Sequence, residues 1–322
     1  MQKFYLASFQ INIISKSLFI VFWMLSFHSI GQDLEPRLLS AMPINGNILV
    51  ASYSHSGGNI LLDPSLPVED LDANLNNMVV AYVRSFRLFN KLAKIDAVIP
   101  YSLGKYTAIV DGVDTKDNRN GFADPLFRLS LLLLGTKPLK PQDYFTQTPD
   151  KFKLGINFRI KVPIGAYNSD YALNVGTNRW SFQSGLGASY TFIKKIIIEA
   201  HANTWLFTKN TNFFNGNTTQ QKPLFGLQVH LAYVFKPGFW AAISTGKTFG
   251  GKLEINDVLQ DIPQNNSRFG AAAAYKLGKH SGIKLAYTSG FSTRAGADFN
   301  TLIFGYNYIW FDKLKAKKNP NN

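Results

Sequence analysis

Cysteine is absent from the 322 residues. That excludes a disulfide framework, thiolate metal centres and a lipid-modified N-terminal cysteine. Charge is scarce, at 17% of residues, and acids are the scarcer sign, with 20 Asp and Glu against 34 Lys and Arg. So low a charged fraction is unusual for a water-soluble domain. Long hydrophobic runs are missing too: beyond residue 31 no apolar stretch is long enough to cross a bilayer as a helix. The mean hydropathy nevertheless lies close to zero, as it does when strands alternate between lipid and water. If the chain beyond residue 31 enters a membrane, it must do so as a closed barrel, because an open sheet would leave its edges unpaired in lipid.

What is present is alternation. From Phe152 to Ile164 every second residue is apolar: Phe152, Leu154, Ile156, Phe158, Ile160, Val162 and Ile164. Between them stand Lys153, Gly155, Asn157, Arg159, Lys161 and Pro163. A strand sends alternate side chains to opposite faces. One face is therefore greasy and the other small, polar or cationic. Three cations on the second face would be too unfavourable in the core of a soluble sandwich. They fit the wall of a wet lumen whose outer face meets lipid. The same period recurs in Trp180–Phe192, Phe225–Phe235, Arg268–Leu277 and Ile283–Arg294. Less regular strands are expected at Ile48–His55, Met78–Ser85, Lys94–Asp111, Leu126–Leu134, Ile196–Phe207 and Phe239–Lys247. In Lys94–Asp111, Pro100 and Gly104 point to a bulge or bend. Within Leu131–Leu134, Leu132 is expected to face inward.

These strands predict an all-β fold, a transmembrane outer-membrane antiparallel β-barrel of about twelve strands. Residues 1–31 read as a signal peptide: Lys3 and Lys16, an apolar run from Ser17 to Phe27, then Ser29-Ile30-Gly31 before a cut near Gln32. Residues 32–45 are expected to form a periplasmic lead-in or plug segment, 46–311 the barrel, and 312–322 a basic polar tail. Short connectors such as 193–195 and 236–238 alternate with long polar ones near 56–75, 112–124, 165–179, 208–223, 248–266 and 295–300. Short turns face the periplasm and long loops the outside in outer-membrane barrels. The connector 135–151, with Pro138 and Pro141, breaks that rule by being long on the short side. Trp180, Trp205, Trp240 and Trp310 lie near strand ends and predict two aromatic girdles.

Four segments add a resemblance. They are Asp63–Asp70 (DPSLPVED), Gly121–Pro125 (GFADP), Asn174–Trp180 (NVGTNRW) and Ser292–Phe299 (STRAGADF). In this order they resemble the signatures of the outer-membrane barrel family named after the MetA pathway of phenol degradation. The resemblance implies a β-barrel that moves small compounds, aromatic ones among the candidates, across the outer membrane. The last strand, Thr301–Phe311, also resembles the C-terminal recognition signal of outer-membrane barrels, which implies contact with the barrel-assembly machinery during insertion.

The expected lumen-lining candidates are Arg128, Lys153, Asn157, Arg159, Lys161, Glu199, His201, Gln228, His230, Arg268, Lys284 and Arg294. Lys276 shares their face, and Asp96 joins Glu199 as one of the few acids. Such a wall would concentrate organic anions. The alternative is that the cations pair with Glu199, Asp96 and loop acids, and brace or close the barrel. No catalytic residue, metal or cofactor is assigned. Ser54-His55-Ser56 puts neighbours on opposite faces, poor geometry for an activated nucleophile. Asp111, Asp114 and Asp117 lack the alternation and closing glutamate of a calcium loop. The cations alternate with apolar residues and form no patch for nucleic acid. The expected partners are outer-membrane lipid and a small solute. The expected role is a passive channel, with a structural or surface-binding barrel as the alternative.

Overall fold

The computed structural model describes residues 34–312, apart from 62–67, 111, 172–173, 261–262 and 295. The expected signal peptide and the basic residues of the tail lie outside the described residues. So does most of the Asp63–Asp70 segment. Seventeen strands are described. Those of the wall are β1 (Gly46–Leu61), β2 (Val68–Leu88), β3 (Lys91–Val110), β4 (Val113–Phe122), β5 (Leu126–Leu134), β6 (Phe152–Lys161) and β7 (Ser181–Phe192). They continue with β8 (Ile196–Phe207), β11 (Leu224–Lys236), β12 (Phe239–Gly250), β15 (Gln264–Lys276), β16 (Ser281–Ser292) and β17 (Gly296–Phe311). Four short strands, β9 (Asn210–Phe213), β10 (Asn217–Gln221), β13 (Leu253–Ile255) and β14 (Val258–Leu259), form a separate sheet at the long-loop end.

Every wall strand pairs antiparallel with its neighbours, and β1 pairs with both β2 and β17, which closes the barrel at twelve strands. The extra strand, β4, lies on the upper half of β3, from Tyr101 to Val110, while β5 takes the lower half, from Leu92 to Val98. The partner changes at Pro100, which has no N–H to donate and instead accepts from the Ala123 amide at 2.9 Å. The strand β6 pairs with β5 and β7 with its alternation intact: Ile156 and Phe158 are exposed, and Asn157 and Arg159 buried. Leu227, Val229, Leu231, Ile243, Phe269 and Leu285 extend the same exposed apolar surface. A contiguous apolar exterior of this extent is stable only against lipid. Among the described residues no helix is long and apolar enough to cross a membrane.

Three expectations need correction. The segments 56–75, 112–124 and 295–300 are largely strand, not loop. They rise into the long-loop end, where a polar residue is tolerated on either face and the apolar alternation fades. The connectors 208–223 and 248–266 contain the small four-stranded sheet. The girdle holds only in part. Trp180 is exposed and Trp310 packs beside Tyr308, but Trp205 is 3% exposed and shares the inner face with Glu199, His201 and Asn203. Trp240 lies under the Arg37 guanidinium, 5.3 Å away, on the inner side. Strand parity, not nearness to a strand end, decides which way a tryptophan points.

Candidate functional site

The lumen is filled by the segment that precedes β1. It enters at the short-turn end through Asn45 and runs inward as far as Leu34, the first described residue. Small wall residues leave room for it. A Cβ on Gly246 or Gly270 would come within about 3 Å of the Leu34 side chain, and one on Gly155 within 2.8 Å of Leu39. Leu39 and Ile44 pack with Leu92 and Leu132 in a buried cluster. Leu132 thus faces inward despite the apolar run around it. The Lys94 ammonium donates to the carbonyls of Leu38, at 2.8 Å, and Ser40, at 3.4 Å.

The segment's carboxylate completes an ion-pair network at mid-barrel. Glu35 accepts from the Arg128 guanidinium through one oxygen and from Arg159 through the other at 2.9 Å. Arg128 also grips Asp96, which is buried on the neighbouring strand β3. Across the lumen, the His201 Nε2 lies 2.7 Å from Glu199 Oε1, which also accepts from the Leu39 amide at 3.4 Å. His230 is 2.7 Å from the Ser244 hydroxyl, and its ring meets that of His201 at 5.7 Å.

The long connector explains itself here. Residues 135–151, with a short helix α1 (Pro141–Tyr144), lie under the segment. The Leu139 carbonyl accepts from the Ile44 amide at 2.8 Å, and the Tyr144 hydroxyl donates to the Ala41 carbonyl at 2.9 Å. A two-residue turn could not reach across the lumen. Burial raises the Tyr144 phenol above its usual pKa, so it stays a donor.

At the opposite end two of the resemblance segments meet. Asp124 of Gly121–Pro125 is 2% exposed. It accepts from the Gly165 amide at 2.9 Å and from both the amide and hydroxyl of Thr177, at 2.8 and 2.6 Å. Lys161 stands 3.7 Å away. In the same loop, Arg179 donates to Gln221 at 2.6 Å and lies over the Phe207 ring. The Ser292–Phe299 segment joins the wall through the Phe299 carbonyl, which accepts from Arg268, and through the Arg294 amide, which donates to Asn266 at 3.0 Å.

Of the twelve candidates, Asn157, Arg159, Glu199, His201, His230 and Arg268 are buried. Arg128, Lys153, Lys161, Gln228 and Lys284 are half-buried on strands β5, β6, β11 and β16. Arg294 lies beyond the end of β16 and is exposed, as is Lys276 at the end of β15. Arg128, Arg159 and Lys161 are ion-paired, the bracing arrangement rather than a free cationic wall. Glu35 was not among the candidates. Its segment has no period to read. The available signals were the excess of inward cations over inward acids and the run of inward glycines that leaves a hollow to fill. On β1, Ser54 bonds to Asn77 and the buried Ser56 to Thr301 on the inward face, while His55, exposed on the opposite face, lies 3.0 Å from Asn76. Asp117 is held by Arg119, and Asp111 lies outside the described residues.

The fold matches that of an outer membrane channel from Pseudomonas putida F1, at 20% identity and a TM-score of 0.70, over 86% of this chain and all of that one. The beta domain of the Bordetella autotransporter BrkA is also similar, at 13% identity and a TM-score of 0.49, over 83% of this chain and all of that one. Among curated proteins none matches the sequence. The profile of one family matches residues 52–306, and the chain belongs to that family, described as "Putative MetA-pathway of phenol degradation".

Proposed function

We propose that this protein is a passive channel of the bacterial outer membrane for small organic solutes, closed at rest by residues 34–45. The observation that carries this reading is the Glu35 bridge to Arg128 and Arg159. The closure lies on a segment continuous with β1, not on side chains of the wall itself. When the segment withdraws, Arg128 and Arg159 lose one carboxylate and leave net positive charge in a low-dielectric passage. Such a site concentrates anions, aromatic carboxylates among them. The family's description supports a link to aromatic compounds, and the similar structure from Pseudomonas is itself an outer membrane channel. In this reading the short-turn end is periplasmic, residues 1–31 are a signal peptide removed on export, and insertion runs through the barrel-assembly machinery.

The test is conductance. Purified protein in planar bilayers should show discrete currents that grow when Glu35 is replaced by Gln. A second reading has its own observation. The buried cluster of Leu39, Ile44, Leu92 and Leu132 anchors the segment firmly, as expected of a structural or surface-binding barrel. Protein that is heat-modifiable on gels but silent in bilayers, with and without Glu35→Gln, would favour it.

A further inference from the structure

At the short-turn mouth, a cavity of about 260 Å³ lies between the N-terminal segment, the connector 135–151 and the inner wall. Arg37 comes from the segment, Lys137 from the connector, Lys153 from β6 and Lys194 from the turn after β7. Asp150 is the only carboxylate among the lining residues. Leu139, Ile197 and Val234 supply an apolar side.

The charge here differs from that at mid-barrel. There each cation of the Glu35 network faces a carboxylate. Here, among the described residues, none of the four cations makes an ion pair. Arg37 donates to Ser40 at 3.2 Å and lies over Trp240, and neither contact neutralises it. Arg37 and Lys153 are half-buried and face the field of Glu199, while Lys137 and Lys194 are exposed at the rim, and together the four like charges favour an anion at this mouth. The apolar side sets a second condition, because a small inorganic ion would leave it facing water. The volume is below the roughly 300–1,000 Å³ of sites for drug-sized ligands, which limits the occupant to a small molecule.

We propose that this vestibule binds a small organic carboxylate with an apolar ring or short chain. The carboxylate lies among Lys137, Lys153 and Lys194, and the apolar body rests on Leu139, Ile197 and Val234. The proposal rests on the channel reading only in making this site the last station before the periplasm. Binding itself needs no open lumen.

The experiment is fluorine NMR of 4-fluorobenzoate titrated into the purified full chain in non-ionic micelles, with empty micelles as the control. The expected result is saturable binding to one site. Lys137→Gln and Lys194→Gln lie outside the strands and keep the fold testable by heat-modifiability. Each should weaken binding by about tenfold, the loss of one charged hydrogen bond. The uncharged 4-fluorobenzyl alcohol should bind at least as much more weakly. Equal binding of acid and alcohol, unchanged affinity in the Lys137→Gln, Lys194→Gln double variant, or no saturation at all would each overturn the proposal. Saturable binding in a protein without conductance keeps this inference and removes the channel reading; conductance without saturable binding does the reverse.

Discussion

Glu35 and Arg159 lie 2.9 Å apart although 124 residues separate them in the chain. Their contact joins the segment before β1 to the long-loop half of β6, and Arg128 shares the same carboxylate. Removing Glu35 would leave the buried Arg159 guanidinium without this partner. Glu35→Gln should therefore loosen the segment and raise the open fraction in bilayer recordings by at least about tenfold, since the one carboxylate shared by two guanidinium groups is lost. Unchanged currents would mean that the bridge does not hold the lumen shut.

Gly246 gives an independent handle on the same segment. A Cβ there would meet the Leu34 side chain at 2.9 Å, with its next neighbours no closer than 3.4 Å. Gly246→Val should push Leu34 away while leaving the barrel intact. Liposome-swelling rates should rise, and the double variant with Glu35→Gln should gain less than the two effects combined, because both act on one element.

Asp124 fastens the loop after β6 to the junction of β4 and β5. Asp124→Ala removes three hydrogen bonds and leaves the buried Thr177 amide and the half-buried Gly165 amide without acceptors. Destabilisation by about 3 kcal/mol or more is expected, with early proteolytic cleavage between residues 162 and 180. An unaltered melting temperature and cleavage pattern would remove Asp124 from that role.

Phe158 faces outward on β6 and is 44% exposed. Phe158→Arg would put a cation on the lipid face, which costs about 2–4 kcal/mol near mid-bilayer. Membrane assembly, followed by the heat-modifiable band, should fall sharply. Normal assembly would contradict the assignment of faces.

The seam between β1 and β17 should weaken in acid. Hydrogen bonds from Asn47, at 2.9 Å, and Arg84, at 2.6 Å, hold the Asp312 carboxyl below its usual range. The contribution is present above the unfolded aspartate pKa of about 3.9 and is lost as the pH falls through the lower, folded value. Asp312→Asn should flatten that acid limb in thermal unfolding, with little change at neutral pH, since the pair is exposed. An acid limb identical in both proteins would exclude Asp312 as its source.

The wall was legible residue by residue because lipid outside and polar contents inside impose period two on every strand that crosses the bilayer. Phe152–Lys161 shows this most plainly, with Ile156 and Phe158 out and Asn157 and Arg159 in. Above the membrane that constraint lapses, so β4 and the upper ends of β1, β2 and β17 carry no apolar alternation to mark them as strand. Trp205 and Trp240 had the inward parity all along, but position near a strand end masked it.

The sequence by itself determined the strand faces, the closed topology and the excess of positive charge, since each follows from local alternation or composition. Only the tertiary structure decided what those cations meet. Residues 34–45 have no periodicity, and contacts spanning 93 residues, as for Glu35 and Arg128, or 160, as for Leu39 and Glu199, leave no local trace in a single chain. The physical reason is that a strand's faces are set by its solvent, whereas a segment inside a lumen is placed by partners brought together only when the barrel closes.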